Sequence, residues 1–211
     1  GGNIGYYTLL ESRIIGNSGK VIAIEPSPQN FQHLQKNLEL ENAKNVESFN
    51  FAAGDKNGEV NFLVYKESNG SFTIPDGEKT DLPGDIIKVP AKTIDTFLNE
   101  ISVDHVDFVR MDVEGYESHI LQGMEETIKK SKPMFQIEVH SSLLGKEKTK
   151  KFLENFQNHG YKAKYYVPRD IDLPIIGTMN DVKHHSINEL IQMLENDTLS
   201  HFFNLCLESN E

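Results

Sequence analysis

Cysteine is almost missing from this chain: Cys206 is the single thiol among 211 residues. That excludes an intramolecular disulfide and a zinc site built from several thiolates. Long apolar runs are missing too. No stretch approaches the roughly 18 apolar residues a membrane span needs. No basic segment followed by an apolar one opens the chain, as a secretory signal would. Positive charge is scarce: 21 Lys and Arg against 32 Asp and Glu leave a net charge of -11. This disfavours bulk binding to nucleic acid or anionic membranes. No internal repeat or low-complexity tract interrupts the chain. The composition thus reads as a soluble, cytoplasmic protein with neither a nucleic-acid nor a membrane partner. Apolar residues at 37% and charged residues at 25% permit a buried core. At about 100–200 residues per domain, the length predicts one domain over residues 1–211.

An initiator Met is also lacking, and the chain opens on Gly1-Gly2-Asn3-Ile4-Gly5. A glycine-rich turn of this type normally follows a strand, so the expectation is a first strand truncated ahead of it. Residues 6–15 follow as a helix, with Tyr7, Leu10 and Ile14 at the spacing of one face. Residues 20–25 are a short apolar run ending in an acid, which suits a strand buried on both faces. Ser27-Pro28 opens the next helix with a capping hydroxyl and a proline at the first position. Residues 46–53 read as another strand. Turn, helix, strand, helix, strand predicts an α/β domain with a mostly parallel, Rossmann-like sheet and helices on both faces. Residues 56–92 break the alternation and are expected to form an irregular insertion, with strands near 60–65 and 86–89. The α/β pattern resumes with helices at 93–101, 117–130, 147–158 and 187–195. Strands are expected at 106–111, 134–139, 161–167 and 202–207. The lysine-rich stretch 146–151 is most simply the solvated face of a helix.

Several residues could carry chemistry. Gly1, Gly2, Asn3 and Gly5 form a turn between a strand and a helix, where glycine lets backbone approach a ligand and helix N–H groups are free. A tight turn needs glycine as well, so the turn alone decides nothing. Its partner is Glu25, at the end of the next strand, where a carboxylate can accept hydrogen bonds from both ribose hydroxyls. Asp55 follows Gly54 at a further strand end and could meet an adenine amino group, although Asp and Gly are also common turn residues. His184-His185 is a loop pair near Asp181. Tyr65, Phe72, Tyr165 and Tyr166 could line an acceptor pocket, though aromatic residues in strands are usually packing.

A series of motifs resembles the FkbM-type methyltransferases, class I enzymes that use S-adenosylmethionine. They are Gly1-Gly2-Asn3-Ile4-Gly5-Tyr6-Tyr7-Thr8, Ile24-Glu25-Pro26-Ser27-Pro28, Asn37-Leu38, Ala52-Ala53-Gly54-Asp55, Thr93-Ile94-Asp95 and Met111-Asp112-Val113-Glu114-Gly115. They occur in family order over about residues 1–140; after residue 145 only the coarse pattern matches. Two departures stand out. The family's first strand and its terminal acid are not present ahead of Gly1, and Arg110 stands where the family usually has Lys, a change of geometry though not of charge. The resemblance implies the class I fold, S-adenosylmethionine as cofactor, and a hydroxyl of a small molecule or glycan as methyl acceptor. It places Gly1, Gly2, Asn3, Gly5, Glu25, Asp55 and Asp112 at the cofactor. Removing a proton from the acceptor calls for a carboxylate or His. Asp112, Glu114, Glu138 and His140 sit at two consecutive strand ends and are expected to face one cleft, each pair on one side if its strand stays extended. Acids at a helix N-terminus are also a structural device. Asp, Glu and His suit Mg or Mn, but no tight ligand spacing is visible, so no metal ligand is assigned. Two other readings stay open: a nicotinamide-dependent oxidoreductase, against which the Asp-Val-Glu-Gly block counts, and a non-catalytic cofactor-binding domain. The oligomeric state is not legible.

Overall fold

The computed structural model describes residues 1–65, 71–77, 80–169 and 184–210. They fall into two compact units, Gly1–Thr93 and Ile94–Glu211.

In the first unit the opening turn leads into α1 (Tyr6–Ile15). β1 (Val21–Ile24) pairs in parallel with β2 (Val46–Phe49), and α2 (Pro28–Leu40) connects them. α2 starts as its sequence predicts: Ser27 Oγ accepts from Asn30 N at 3.3 Å, and Pro28 takes the first turn. α1 differs from expectation. Tyr7, Leu10 and Ile14 are 44%, 46% and 75% exposed, while Thr8 and Ser12 are its buried residues. The inward side is small and polar, and Ser12 Oγ donates to Asn45 Oδ1 at 2.6 Å.

The strand expected over 46–53 is two strands. It breaks at Asn50, whose Nδ2 donates to the carbonyls of Glu25 and Pro26 at 2.7 and 3.1 Å. Beyond the break, β3 (Ala52–Ala53) joins a separate sheet with β4 (Gly58–Val64), β5 (Phe72–Ile74) and β6 (Asp85–Lys92), in the order β3-β6-β4-β5. The insertion is therefore an ordered sheet, with its own core of Ala52, Val60, Phe62, Val89 and Ala91. Its alternating burial is that of a sheet with one covered face.

The second unit runs through α3 (Ile94–Glu100), β7 (Phe108–Met111), α4 (Glu117–Gln122), α5 (Glu125–Ser131), β8 (Met134–His140), α6 (Ser141–Leu144), α7 (Lys146–Asn158), β9 (Tyr161–Pro168), α8 (Ile187–Glu195) and β10 (Phe202–Ser209). The helix expected over 117–130 is broken at Gly123-Met124. Asp95 caps the second piece, accepting from the backbone N–H groups of Glu126 and Thr127 at 3.0 and 2.9 Å. The strand order is β7-β8-β10-β9. Phe135, Ile137 and Val139 of β8, with Phe203, Leu205 and Leu207 of β10, are wholly buried at every second position.

The sheets are mixed, which corrects the expectation of a mostly parallel one. β1/β2, β3/β6 and β7/β8 are parallel, whereas β4/β5, β4/β6, β8/β10 and β9/β10 are antiparallel. The reason is physical: an apolar period of two marks a strand and its buried side but carries no direction. Among the described residues no helix is long and apolar enough to cross a membrane.

Candidate active site

In the first unit the site is built around Glu25, which is 4% exposed. Its Oε2 accepts from Asn3 N at 2.7 Å and its Oε1 from Ser27 N at 2.9 Å. One carboxylate thus ties the opening turn to the start of α2. The turn is further held by Gly2 N, which donates to Ile24 O at 2.7 Å. The glycines serve this packing. A Cβ on Gly1 would fall 2.9 Å from Glu25 Oε2, and one on Gly5, whose φ is 97°, would fall 2.7 Å from Leu34 Cδ1. The turn delivers the chain into α1, whose first turn has no side-chain cap. Asp55 lies half-buried in the bend after β3, and β3 belongs to a different sheet from β1, which ends just before Glu25.

A carboxylate offers about four acceptor positions. The bonds from Asn3 and Ser27 engage one on each oxygen of Glu25, so acceptor capacity remains on both. That acceptor chemistry fits a pair of donating ribose hydroxyls.

In the second unit β7 ends at Met111, and the chain does not stay extended. Glu114 and Gly115 take left-handed φ values of 52° and 90°. For Glu114 this is a conformation that side chains disfavour, of the kind stored at functional sites. The turn still brings the expected residues together. His140 Nε2 lies 3.2 Å from Glu114 Oε2 and 4.0 Å from Glu138 Oε1, and one donor atom each of Asp112, Glu114 and His140 fall within 4.8 Å of one another. Glu138 also faces Arg169, at 3.6 Å.

Glu117, which sequence reasoning passes over, is wholly buried, and its Oε1 lies 2.9 Å from His140 Nδ1. The same oxygen accepts from Gly115 N at 3.2 Å. With a carboxylate at each ring nitrogen, His140 is set up to donate from both. Burial opposes its charge, but the Glu117 hydrogen bond and the negative charges of Glu114, Glu117 and Asp112 outweigh it and raise the imidazole pKa above its ordinary 6.5. Burial also pushes the Glu114 carboxyl above its usual 4.5; His140 counters this, while Asp112, Glu138 and Glu117 add to it. The one signal for Glu117 in the sequence is an acid in the first turn of a helix, which ordinarily means an exposed residue near the dipole.

The other sequence candidates are placed as follows. Tyr166 is packed at 2% exposure, and Tyr165 is exposed. His184 Nδ1 lies 3.0 Å from Lys164 O, and Asp181 lies outside the described residues.

Comparison with known proteins decides the family. Residues 1–163 match the profile of the Methyltransferase FkbM domain. The chain belongs to the FkbM methyltransferase family. A curated relative, Methyltransferase 1 of Beauveria bassiana, is 28% identical over 142 residues, covering 60% of this chain and 57% of the relative. Another, 2-O-methyltransferase NoeI of Sinorhizobium fredii, is 25% identical over 131 residues, covering 54% of this chain and 51% of the relative. The chain thus spans about half the length of the curated relatives it matches. The solved structure of Methyltransferase FkbM from Methylobacillus flagellatus aligns with a TM-score of 0.56 at 17% identity, over 97% of this chain and 41% of that one. That likeness shows that the two chains share an α/β fold. S-adenosylmethionine is the usual cofactor of this FkbM family.

Proposed function

We propose that this FkbM family member is an S-adenosylmethionine-dependent O-methyltransferase whose acceptor is a hydroxyl on a small molecule or glycan. The observation that carries the cofactor assignment is Glu25, which ties down the glycine turn while keeping acceptor capacity on both oxygens. Gly1, Gly2, Asn3 and Gly5 shape that turn, Glu25 takes the ribose hydroxyls, and Asp55 takes the adenine amino group. The bound cofactor supplies an electrophilic methyl group. The protein must then position the hydroxyl and accept its proton. Asp112, Glu114, Glu138 and His140 supply the candidates, with Asp112 also counted toward the cofactor. Glu114 ranks first as base, because burial raises its pKa and so strengthens the carboxylate as a base. His140, held by Glu117, orients it. The hydroxyl acceptor is supported by the relative named as a 2-O-methyltransferase.

The test is transfer of labelled methyl from S-adenosylmethionine to a panel of sugars, oligosaccharides and small alcohols. Labelled ether product is expected, and Glu114→Gln should lower turnover by about 10²–10⁴-fold with cofactor affinity little changed. Cofactor binding with no transfer to any acceptor would instead favour a non-catalytic cofactor-binding domain.

A further inference from the structure

The geometry points to a divalent-cation site in the second unit, formed by Asp112, Glu114 and His140, for a first-row ion such as Mn²⁺. Their donor atoms lie within 4.8 Å of one another. Around an octahedral ion with bonds of about 2.1 Å, neighbouring ligands stand about 3 Å apart and opposite ones about 4.2 Å. Small rotations of the two half-buried carboxylates close that difference. One imidazole with two carboxylates is a mixed nitrogen and oxygen set, better matched to Mn²⁺, Fe²⁺ or Zn²⁺ than to Ca²⁺.

The independent observation is Glu117. It is wholly buried, its Oε1 holds His140 Nδ1 at 2.9 Å, and among the described residues its Oε2 has no hydrogen-bond partner. A buried carboxylate with an unsatisfied oxygen is costly. Its position is the one in which a metal-ligating histidine finds the carboxylate that fixes its ring. With Nδ1 so held, Nε2 is turned onto Glu114 Oε2 at 3.2 Å, and a cation bound there would displace the Nε2 proton and take its place between the two side chains. It would also offset the charge of Asp112, Glu114, Glu117 and Glu138, which here gather around His140 with Arg169 facing Glu138. The site rests on this geometry alone and stands whether or not the chain transfers a methyl group.

The test is a Mn²⁺ titration of the chelator-treated protein, followed by electron paramagnetic resonance of the free ion and by amide nuclear magnetic resonance. One site per chain is expected, with paramagnetic broadening centred on residues 112–117 and 140. That map needs only the wild-type protein. His140→Ala and Glu114→Gln should each weaken binding at least about tenfold, and Glu117→Gln by about 10–100-fold, as for residues that support a ligand. Circular dichroism checks that each variant is folded. No binding at about 1 mM Mn²⁺, the weak end of protein cation sites, would overturn the inference. So would broadening scattered over the acidic surface, or unchanged affinity in folded variants.

Discussion

Glu25 ties the opening turn to the start of α2, and its substitution tests both that role and the proposed one toward the cofactor. Glu25→Ala removes the acceptor for Asn3 N and Ser27 N. S-adenosylmethionine binding should weaken by about 1–3 kcal/mol, the range for charged hydrogen bonds. The melting temperature should fall as well, because two backbone donors lose their partner; unchanged values on both counts would remove Glu25 from the turn and the site. Tyr161 behaves oppositely. Its hydroxyl is buried with no hydrogen-bond partner among the described residues, and burial pushes its pKa from 10.0 to about 12. Tyr161→Phe should therefore be neutral or stabilising by up to about 1 kcal/mol in denaturant unfolding. Since the folded value lies above the unfolded one, the folded state keeps its proton longer. Stability should fall as pH rises through 10 to 12, and the phenylalanine variant should lose that component. At this scale the sequence singles out Glu25, Asp112, Glu114, Glu138 and His140 because acids and histidines at strand ends stand out, and the structure gathers Asp112, Glu114 and Glu138 around His140. Glu117 was not, because nothing local distinguishes a buried helix-start acid from an exposed one.

Among the elements, the turn after β7 is the most demanding. Gly115 has a φ of 90°, and a Cβ there would meet Leu143 Cβ at 3.0 Å. Gly115→Ala should cost about 1–2 kcal/mol for the left-handed backbone, before any clash. It should also displace Glu114 and its contact to His140, so thermal unfolding and turnover should both suffer; a wild-type melting curve would contradict that geometry. β10 was readable as a strand and as a buried one, since Phe203, Leu205 and Leu207 alternate. Its direction was not readable, and it pairs antiparallel to both β8 and β9. Leu205→Ala should cost about 2–5 kcal/mol in denaturant unfolding, as expected for a wholly buried leucine. The periodicity of α1 placed Tyr7, Leu10 and Ile14 on one face, but that face is exposed and the buried residues are Thr8 and Ser12. In the insertion the strands expected near 60–65 and 86–89 are present as β4 and β6, whereas β5 and the membership of β3 in this separate sheet were hidden, because turn-rich composition masks short strands that find their partners far along the chain.

At the scale of the whole molecule, the chain combines a net charge of -11, an FkbM domain over residues 1–163 and an α/β fold shared with a solved FkbM methyltransferase. Family order in the motifs pointed from sequence to the family and its usual cofactor, whereas the acceptor was not legible, since the parts outside those motifs follow no shared pattern. The reading stands or falls on the cofactor. The most direct measurement is calorimetric titration of S-adenosylmethionine, with NAD as control, into the protein and into Glu25→Ala. One S-adenosylmethionine per chain is predicted, with no NAD bound and with affinity reduced about 5–150-fold in the variant, which corresponds to 1–3 kcal/mol. No heat of S-adenosylmethionine binding at millimolar concentration, or binding untouched by Glu25→Ala, would contradict it.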